Sequence, residues 1–533
     1  MVTRGYGWDK IKGVAKNNRQ GQPKKASELV GQPGCVWYVH RRLQIVPVSG
    51  GERGVMTDLS RGDILERIEC EVIIDDFGFT GEGFVRLSDG WLSVPGALPG
   101  EKVIIRLQPG QRERSRRLYA DIVEILSPSK MRRDPLCDRD SICRGCQLRH
   151  LTVAEELSFK VRCVREVIDR YAGLTPEEQP EIEVITPQPI SRGDAFRIRS
   201  NLSYLRKGPS FELGLHSPVI DGLISMDSCP ALTLPVRRLV GAVSRSLEAS
   251  KALPWDEAMV REVGQQVRGF DVSPGIRSIS VVAPTHGVGL MDVKLTGLEG
   301  EESFQRAIKK GVIATWLERL AGEVPDRVGV AVHFDEFRHI IKEPQRIRVP
   351  IGRWQMEIGY DDWFHATMEP AEQVYERLMQ WLDLGDEDRF LDVGCGTGTI
   401  SLMASEKAKE VVGVDANRAS IEAAEINALG HECENVRFVT GGWEKALRRL
   451  VMEKESFTAA TINPMREPLG HRPLAFLQAL GIKRIVYLGP SPEAAARDVG
   501  ALRQMGWSVR RLGAANLHPA TYHTLLMAAL ELE

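Results

Sequence analysis

The sequence predicts a multidomain α/β protein. A small β-barrel comes first, then an α+β domain with clustered cysteines, then a C-terminal domain built on a largely parallel sheet. Three observations predict this. Ile68 to about Leu126 reads as short alternating strands with turn residues between them. Cys137, Cys143 and Cys146 crowd one short stretch. Phe390 to Asn417 runs as buried strand, glycine-rich turn, helix, second strand and terminal acid.

At 533 residues the chain has room for three or four domains. The expected boundaries are 1–60, 61–127, 128–350 and 351–533. The formal net charge of −2 excludes a global basic field, so any nucleic-acid surface must be local. No apolar run is long enough to span a membrane, and the first residues lack the apolar core of a signal peptide. A cytoplasmic monomer without a membrane partner is the expectation. Nine clustered cysteines in a reducing compartment point to metal or cluster ligation rather than disulfides.

In chain order, the first stretch carries Arg4, Lys10, Lys12, Lys16, Arg19, Lys24 and Lys25 with few acids. It reads as a disordered basic extension able to add salt-sensitive contacts to RNA phosphates. The strands that follow, with turns at Asp89-Gly90 and Pro99-Gly100, fit a five-stranded barrel of the oligonucleotide-binding type. Arg112, Arg114, Arg116 and Arg117 share one loop. They are either a solvated turn or a phosphate-tracking edge.

Cys137, Cys143 and Cys146 have C-x5-C-x2-C spacing, and Cys229 is the candidate fourth thiol. Four thiolates suit an iron–sulfur centre or zinc. Cys35, Cys70, Cys163 and Cys433 read as ordinary small buried residues. FRIRSNLSYLRK (196–207) alternates as a strand, and about Leu232 to Phe334 mixes amphipathic helix with strands. No chemistry is legible there.

In the C-terminal domain, Asp392, Gly394, Gly396 and Gly398 form D-x-G-x-G-x-G, and Asp415 ends the next strand. Glycines let backbone approach a ligand closely, and an acid at that strand end accepts from a ribose hydroxyl pair. This spacing resembles the S-adenosylmethionine (SAM) loop of class I methyltransferases. G-E-G-F-V-R and V-P-G-A-L-P-G-E resemble a TRAM domain, an RNA-binding barrel. With R-G-C-Q-L-R-H, Cys229, FRIRS and WFHATMEPAEQVY, the chain from about Ile68 onward resembles the SAM-dependent RNA uridine-C5 methyltransferases of the TRAM and iron–sulfur type. The resemblance implies SAM as cofactor, tRNA or rRNA as partner, and a four-iron cluster on the four cysteines, with zinc as the alternative.

The resemblance breaks at the chemistry. Carbon 5 of uracil becomes nucleophilic after a thiolate adds at carbon 6, and a base must later remove the carbon-5 proton. The family motif Y-x-S-C-N-P-x-T-x-x-R-D matches at Tyr487, Pro492, Arg497 and Asp498, but Pro490 holds the cysteine's place. The family pattern P-H-T-x-H-x-E aligns with 519–525, with Leu525 at the glutamate. D-P-P-R becomes Asn463-Pro464-Met465-Arg466, and F-Q-x-N becomes Phe364-His365-Ala366-Thr367. His365 could still donate to the SAM carboxylate. The adenine-side aspartate is replaced in Gly441-Gly442 unless Glu444 reaches in.

The expected function is therefore a family member that binds SAM and RNA without making 5-methyluridine by the cysteine route. The alternatives are a methyltransferase with altered chemistry and a non-catalytic RNA-binding factor. Asn463-Pro464 partly resembles the N-P-P-[YF] element of enzymes that methylate exocyclic amines.

Overall fold

The computed structural model describes residues 69–87, 90–107, 117–135, 137–186, 195–207, 210–217, 220–250, 275–362 and 364–532. The basic N-terminal stretch, Cys35, Asp89, Arg112, Arg114 and Arg116 lie outside the described residues. The chain forms two compact units, one ending at Asp76 and resuming over Gly83–Pro128, the other comprising Phe77–Glu82 and Ser129–Glu533.

In the first unit the strands are β1 (Glu69–Ile73), β2 (Asp76–Phe77), β3 (Gly83–Leu87), β4 (Gly90–Val94), β5 (Lys102–Leu107) and β6 (Arg117–Ser127). They pair in the order β1-β5-β6-β4-β3-β2 around Cys70, Leu92, Val94, Val103, Ile105 and Ala120. There are six strands rather than the expected five, because the first is broken at Ile74-Asp75. There Ile74 N donates to Glu101 O and Asp75 N to Phe84 O. β3 can begin only with glycine, since a Cβ on Gly83 would lie 2.7 Å from the Ala97 carbonyl oxygen.

The second unit opens with α1 (Asp140–Cys143), α2 (Val153–Val167), a π-helical turn (Ile168–Ala172) and β7 (Ile182–Ile185). Thr152 caps α2 by accepting from Glu155 N. A seven-stranded sheet follows: β8 (Arg199–Lys207), β9 (Ser210–His216), β10 (Leu223–Ile224), β11 (Gly275–Thr285), β12 (Val288–Thr296), β13 (Arg327–Phe334) and β14 (Phe337–Lys342), in the order β10-β9-β8-β11-β12-β13-β14. Helices α3 (Leu234–Ser250), α4 (Gly300–Lys309) and α5 (Val312–Glu323) share its core through Val240, Val243, Phe304, Trp316 and Leu320. A hairpin of β15 (Arg346–Ile351) and β16 (Trp354–Gly359) leads to α6 (Glu369–Leu382).

The last sheet contains β17 (Arg389–Val393), β18 (Glu410–Asp415), β19 (Val436–Thr440), β20 (Ala459–Ile462), β21 (Arg484–Gly489), β22 (Trp507–Ala515) and β23 (Leu525–Leu532). Its order is β19-β18-β17-β20-β21-β23-β22-β7. The first five of these are parallel and β23 is antiparallel to both its neighbours. Helices α7 (Thr399–Ser405), α8 (Arg418–Gly430), α9 (Trp443–Met452), α10 (His471–Ala479) and α11 (Pro492–Gln504) connect them. Strand order reverses between β17 and β20, which opens a crevice at their carboxyl ends.

α2 and β7 precede the seven-stranded sheet in sequence but belong to this one. β7 pairs in parallel with β22, and Val164, Val167 and Ile182 sit in the same core as Leu391 and Ile462. Among the described residues no helix is long and apolar enough to cross a membrane.

Candidate active site

The glycine turn follows β17 directly. Gly394, Gly396 and Gly398 have φ of +84°, +53° and +88°, in the left-handed region that side chains disfavour. At Gly394 there is also no room, since a Cβ would lie 2.2 Å from the Asn463 carbonyl oxygen. Gly394 N and Cys395 N both donate to Val414 O, and Gly398 opens α7. The Asp415 carboxylate accepts from Gly396 N at 3.0 Å and Asn417 N at 2.8 Å, so it holds the turn as well as bordering the crevice. Asn463 follows β20, and its N donates to Val393 O at 2.8 Å.

Asp392 lies under this turn, fully buried. Its two oxygens accept from the Thr461 and Ser401 hydroxyls, each at 2.7 Å. Burial pushes its pKa up to about 6 despite these bonds. Its surroundings fit a fastener between β17, β20 and α7 rather than a group facing the crevice. His365 is buried too, with its Nε2 hydrogen-bonded to the Tyr375 hydroxyl on α6. Burial pulls its pKa down to about 4, so it is neutral. Glu444 does not reach inward, because it pairs with Arg472 at 3.4 Å on the surface.

A second opening, a cleft of about 230 Å³, lies past the end of β21. One wall is Pro490, Ser491, Pro492 and Glu493; the other is Tyr522, His523 and Thr524, with Arg466, Cys163 and Phe79 between. The structure thus brings the Pro490 segment beside the segment leading into Leu525. Pro490 is exposed, and Leu525 is buried as the first residue of β23. His523 lies 4.3 Å from Tyr522 and 5.9 Å from His518, ring centre to centre. Burial first, then neighbouring positive and imidazole groups, pull His518 down to about 3; burial and Arg466 pull His523 down to about 4.

The motif residues that match the family around Pro490 have work in the fold. The Tyr487 hydroxyl donates to Asp498 at 2.6 Å, and Asp498 accepts from Leu469 N and Gly470 N. Arg497 lies over the Tyr171 ring at 4.2 Å. The 516–523 segment hangs on a buried ion pair, Lys160–Glu156 at 3.0 Å. Lys160 donates to Asn516 Oδ1 at 2.5 Å and to His518 O, and Glu156 accepts from Ala520 N at 2.9 Å.

The cysteines come from two loops. Arg139 donates to Ser225 O, Arg197 to Gly145 O at 3.3 Å, and Ser217 to Ile142 O at 2.8 Å, which ties the loop of Cys137, Cys143 and Cys146 to that of Cys229. Burial raises the Cys143 thiol, and the other three thiols raise it further. The expected ligand set is nevertheless not assembled. Among the described residues no three His, Cys, Asp or Glu side chains stand as a metal-gripping group.

Residues 384–485 match the family model for a methyltransferase domain. The chain is 25% identical over 485 residues to a 23S rRNA (uracil(1939)-C(5))-methyltransferase, RlmD, of Pseudomonas aeruginosa, covering 91% of this chain and 97% of that one. The chain is thus similar, along nearly its whole length, to RNA uracil-C5 methyltransferases. It is also 24% identical to an uncharacterized RNA methyltransferase of Clostridium tetani over 84% of this chain and 93% of that protein. The crystal structure of Pyrococcus abyssi tRNA (uracil-54, C5)-methyltransferase with S-adenosyl-L-homocysteine superposes with a TM-score of 0.61. It covers 86% of this chain and all of that one at 19% identity, which shows the shared fold.

Sequence reasoning missed Tyr375, Ser401, Thr461, Lys160 and Glu156. The hydroxyl partners of Asp392 carry no spacing signal, because β20 and α7 meet it only in the folded sheet. Cys163 was read as a bland buried thiol. It is buried, yet it lines the cleft.

Proposed function

We propose that this chain binds SAM at the crevice between β17 and β20 and a structured RNA, tRNA or rRNA, across the adjoining cleft. In this reading it does not make 5-methyluridine by cysteine addition. The carrying observation is the cleft itself, where Pro490 stands on one wall in the nucleophile's place and the other wall leads into Leu525, in the base's place. A proline offers no nucleophile, and a leucine takes no proton. Cys163, the thiol on that cleft, is a poor substitute, because burial pushes it up to about 12 and disfavours the thiolate.

Bound SAM supplies an electrophilic methyl group. Asp415, the Gly394–Gly398 backbone, Asn463 and, through its ring, His365 are the groups that would hold it. The TRAM reading of the first unit rests on exposed Trp91 on β4 and Tyr119 on β6, with Phe84 beside Trp91 at 6.2 Å. Such rings stack bases without sequence preference. For Cys137, Cys143, Cys146 and Cys229 the all-thiol donor set and the two linked loops support a four-iron cluster, with zinc as the alternative.

A second reading, altered methyl transfer, has one observation in its favour: Asn463 stands against the Gly394 turn. An amide there suits an exocyclic amine and needs no thiolate.

RNA containing 5-fluorouridine tests whether the cysteine route is closed. Fluorine blocks loss of the group at carbon 5, so a cysteine enzyme stays covalently joined to it. The expected result is SAM binding by calorimetry with no RNA adduct on denaturing gels. An adduct mapping to Cys163 would overturn the proposal.

A further inference from the structure

Another opening lies in the seven-stranded sheet's layer and is lined by no residue of the glycine turn. It encloses about 520 Å³ between α3, the β11–β12 turn and the end of α5. Its floor is Leu239, Ala283, Val288 and Val328. Its rim is basic. Arg237 and Arg245 stand eight residues apart on α3, two turns along one face, with Gly241 midway between them. Arg238 adds a third guanidinium and donates to His286 Nδ1 at 3.3 Å.

Gly241 gives the first sign of a purpose. Glycine weakens a helix interior, and here no positive φ requires it. A Cβ at that position would meet Arg245 Nη1 at 3.3 Å, so its absence leaves the strip between the two arginines open. Arg237 gives the second. Its Nε is buried and has no hydrogen-bond partner among the described residues. Such a donor is costly unless an acceptor arrives.

The acids on the rim do not cancel this charge. Asp227 accepts from the Ser225 hydroxyl and from Ser228 N, and lies 3.7 Å from Arg139. Glu323 lies 3.9 Å from Arg245, whose side chain is two-thirds exposed. Arg237 and Arg238 are left without a carboxylate partner among the described residues.

We propose that this groove binds the phosphodiester backbone of RNA, a contact separate from the β17/β20 crevice. Guanidinium forks match phosphate oxygens in pairs. Eight helical residues span about 12 Å, enough for more than one phosphate and too long for a single small anion. The proposal rests on the RNA-binding reading above and extends it to α3.

The test uses the full chain and a fluorescein-labelled RNA hairpin of mixed sequence, titrated over a range of salt. Arg237→Gln with Arg245→Gln should weaken binding about tenfold and lower the slope of log Kd against log salt by about 0.7–0.9 per lost phosphate contact. Arg237→Lys with Arg245→Lys keeps the charge, so its slope should stay near wild type. SAM affinity and melting temperature should be unchanged in both. An unchanged slope in the folded glutamine variant would overturn the groove while leaving the RNA-binding reading intact. Failure of the wild type to bind the hairpin would overturn both.

Discussion

Gly394 shows how a single residue commits the crevice. Its φ of +84° and the Asn463 carbonyl 2.2 Å from any Cβ leave no way to relax a side chain. Gly394→Ala should weaken SAM binding at least tenfold by calorimetry, since a left-handed residue alone costs about 1–2 kcal/mol and the clash adds to it. Gly442, with φ −58° and open space at its Cβ, is the control, and Gly442→Ala should leave SAM binding unchanged. These glycines were legible because their spacing writes the turn into the sequence. The fastening of Asp392 by Ser401 and Thr461 was not, because nothing local links those three residues. Pro490 and Leu525 stand out in the sequence only through the flanking motif residues, whose retention the fold explains. Tyr487 and Asp498 hold the Leu469–Gly470 segment whatever stands at 490.

Among elements, α2 governs the wall of the cleft. Lys160 and Glu156 are almost fully buried, and together they satisfy Asn516, His518 and Ala520. Lys160→Met would leave the Glu156 carboxylate buried and unpaired. It should cost about 3–5 kcal/mol in urea unfolding, with much of the loss recovered by adding Glu156→Leu. Recovery would not be expected if the pair acted only as independent surface charges. The cysteine loops make a parallel prediction. If the proposed cluster is bound, Cys137→Ala should lower the metal content of anaerobically purified protein and destabilise the second unit, because ligation and folding are coupled. Metal content unchanged in that variant would remove Cys137 from the ligand set. β7 was the least legible element. Its partner β22 comes far later in the chain, and four residues with a parallel partner leave no periodic signature.

For the whole molecule, pH exposes how much of the interior is built on neutral imidazoles. His365, His518 and His523 have folded pKa values of about 4, 3 and 4 against an ordinary 6.5. Between pH 6.5 and 4 the unfolded chain therefore binds more protons at these sites, so their stabilisation is full above 6.5 and is lost on acidification. Asp392 runs the other way. Its folded value of about 6 against 3.8 means that its contribution is lost as pH rises through 6. Three groups oppose one, and the urea midpoint should fall from pH 7 to pH 4.5. His365→Gln and His518→Gln should flatten that fall. The short strands of the first unit and the parallel sheet of the second followed from strand length and the glycine turn. The assignment of α2 to the last sheet required the folded molecule. The most direct measurement is nucleoside mass spectrometry of tRNA and rRNA from a strain lacking this protein, beside its parent. Unchanged 5-methyluridine is the predicted result, and its loss would contradict the central claim that Pro490 and Leu525 have closed the cysteine route.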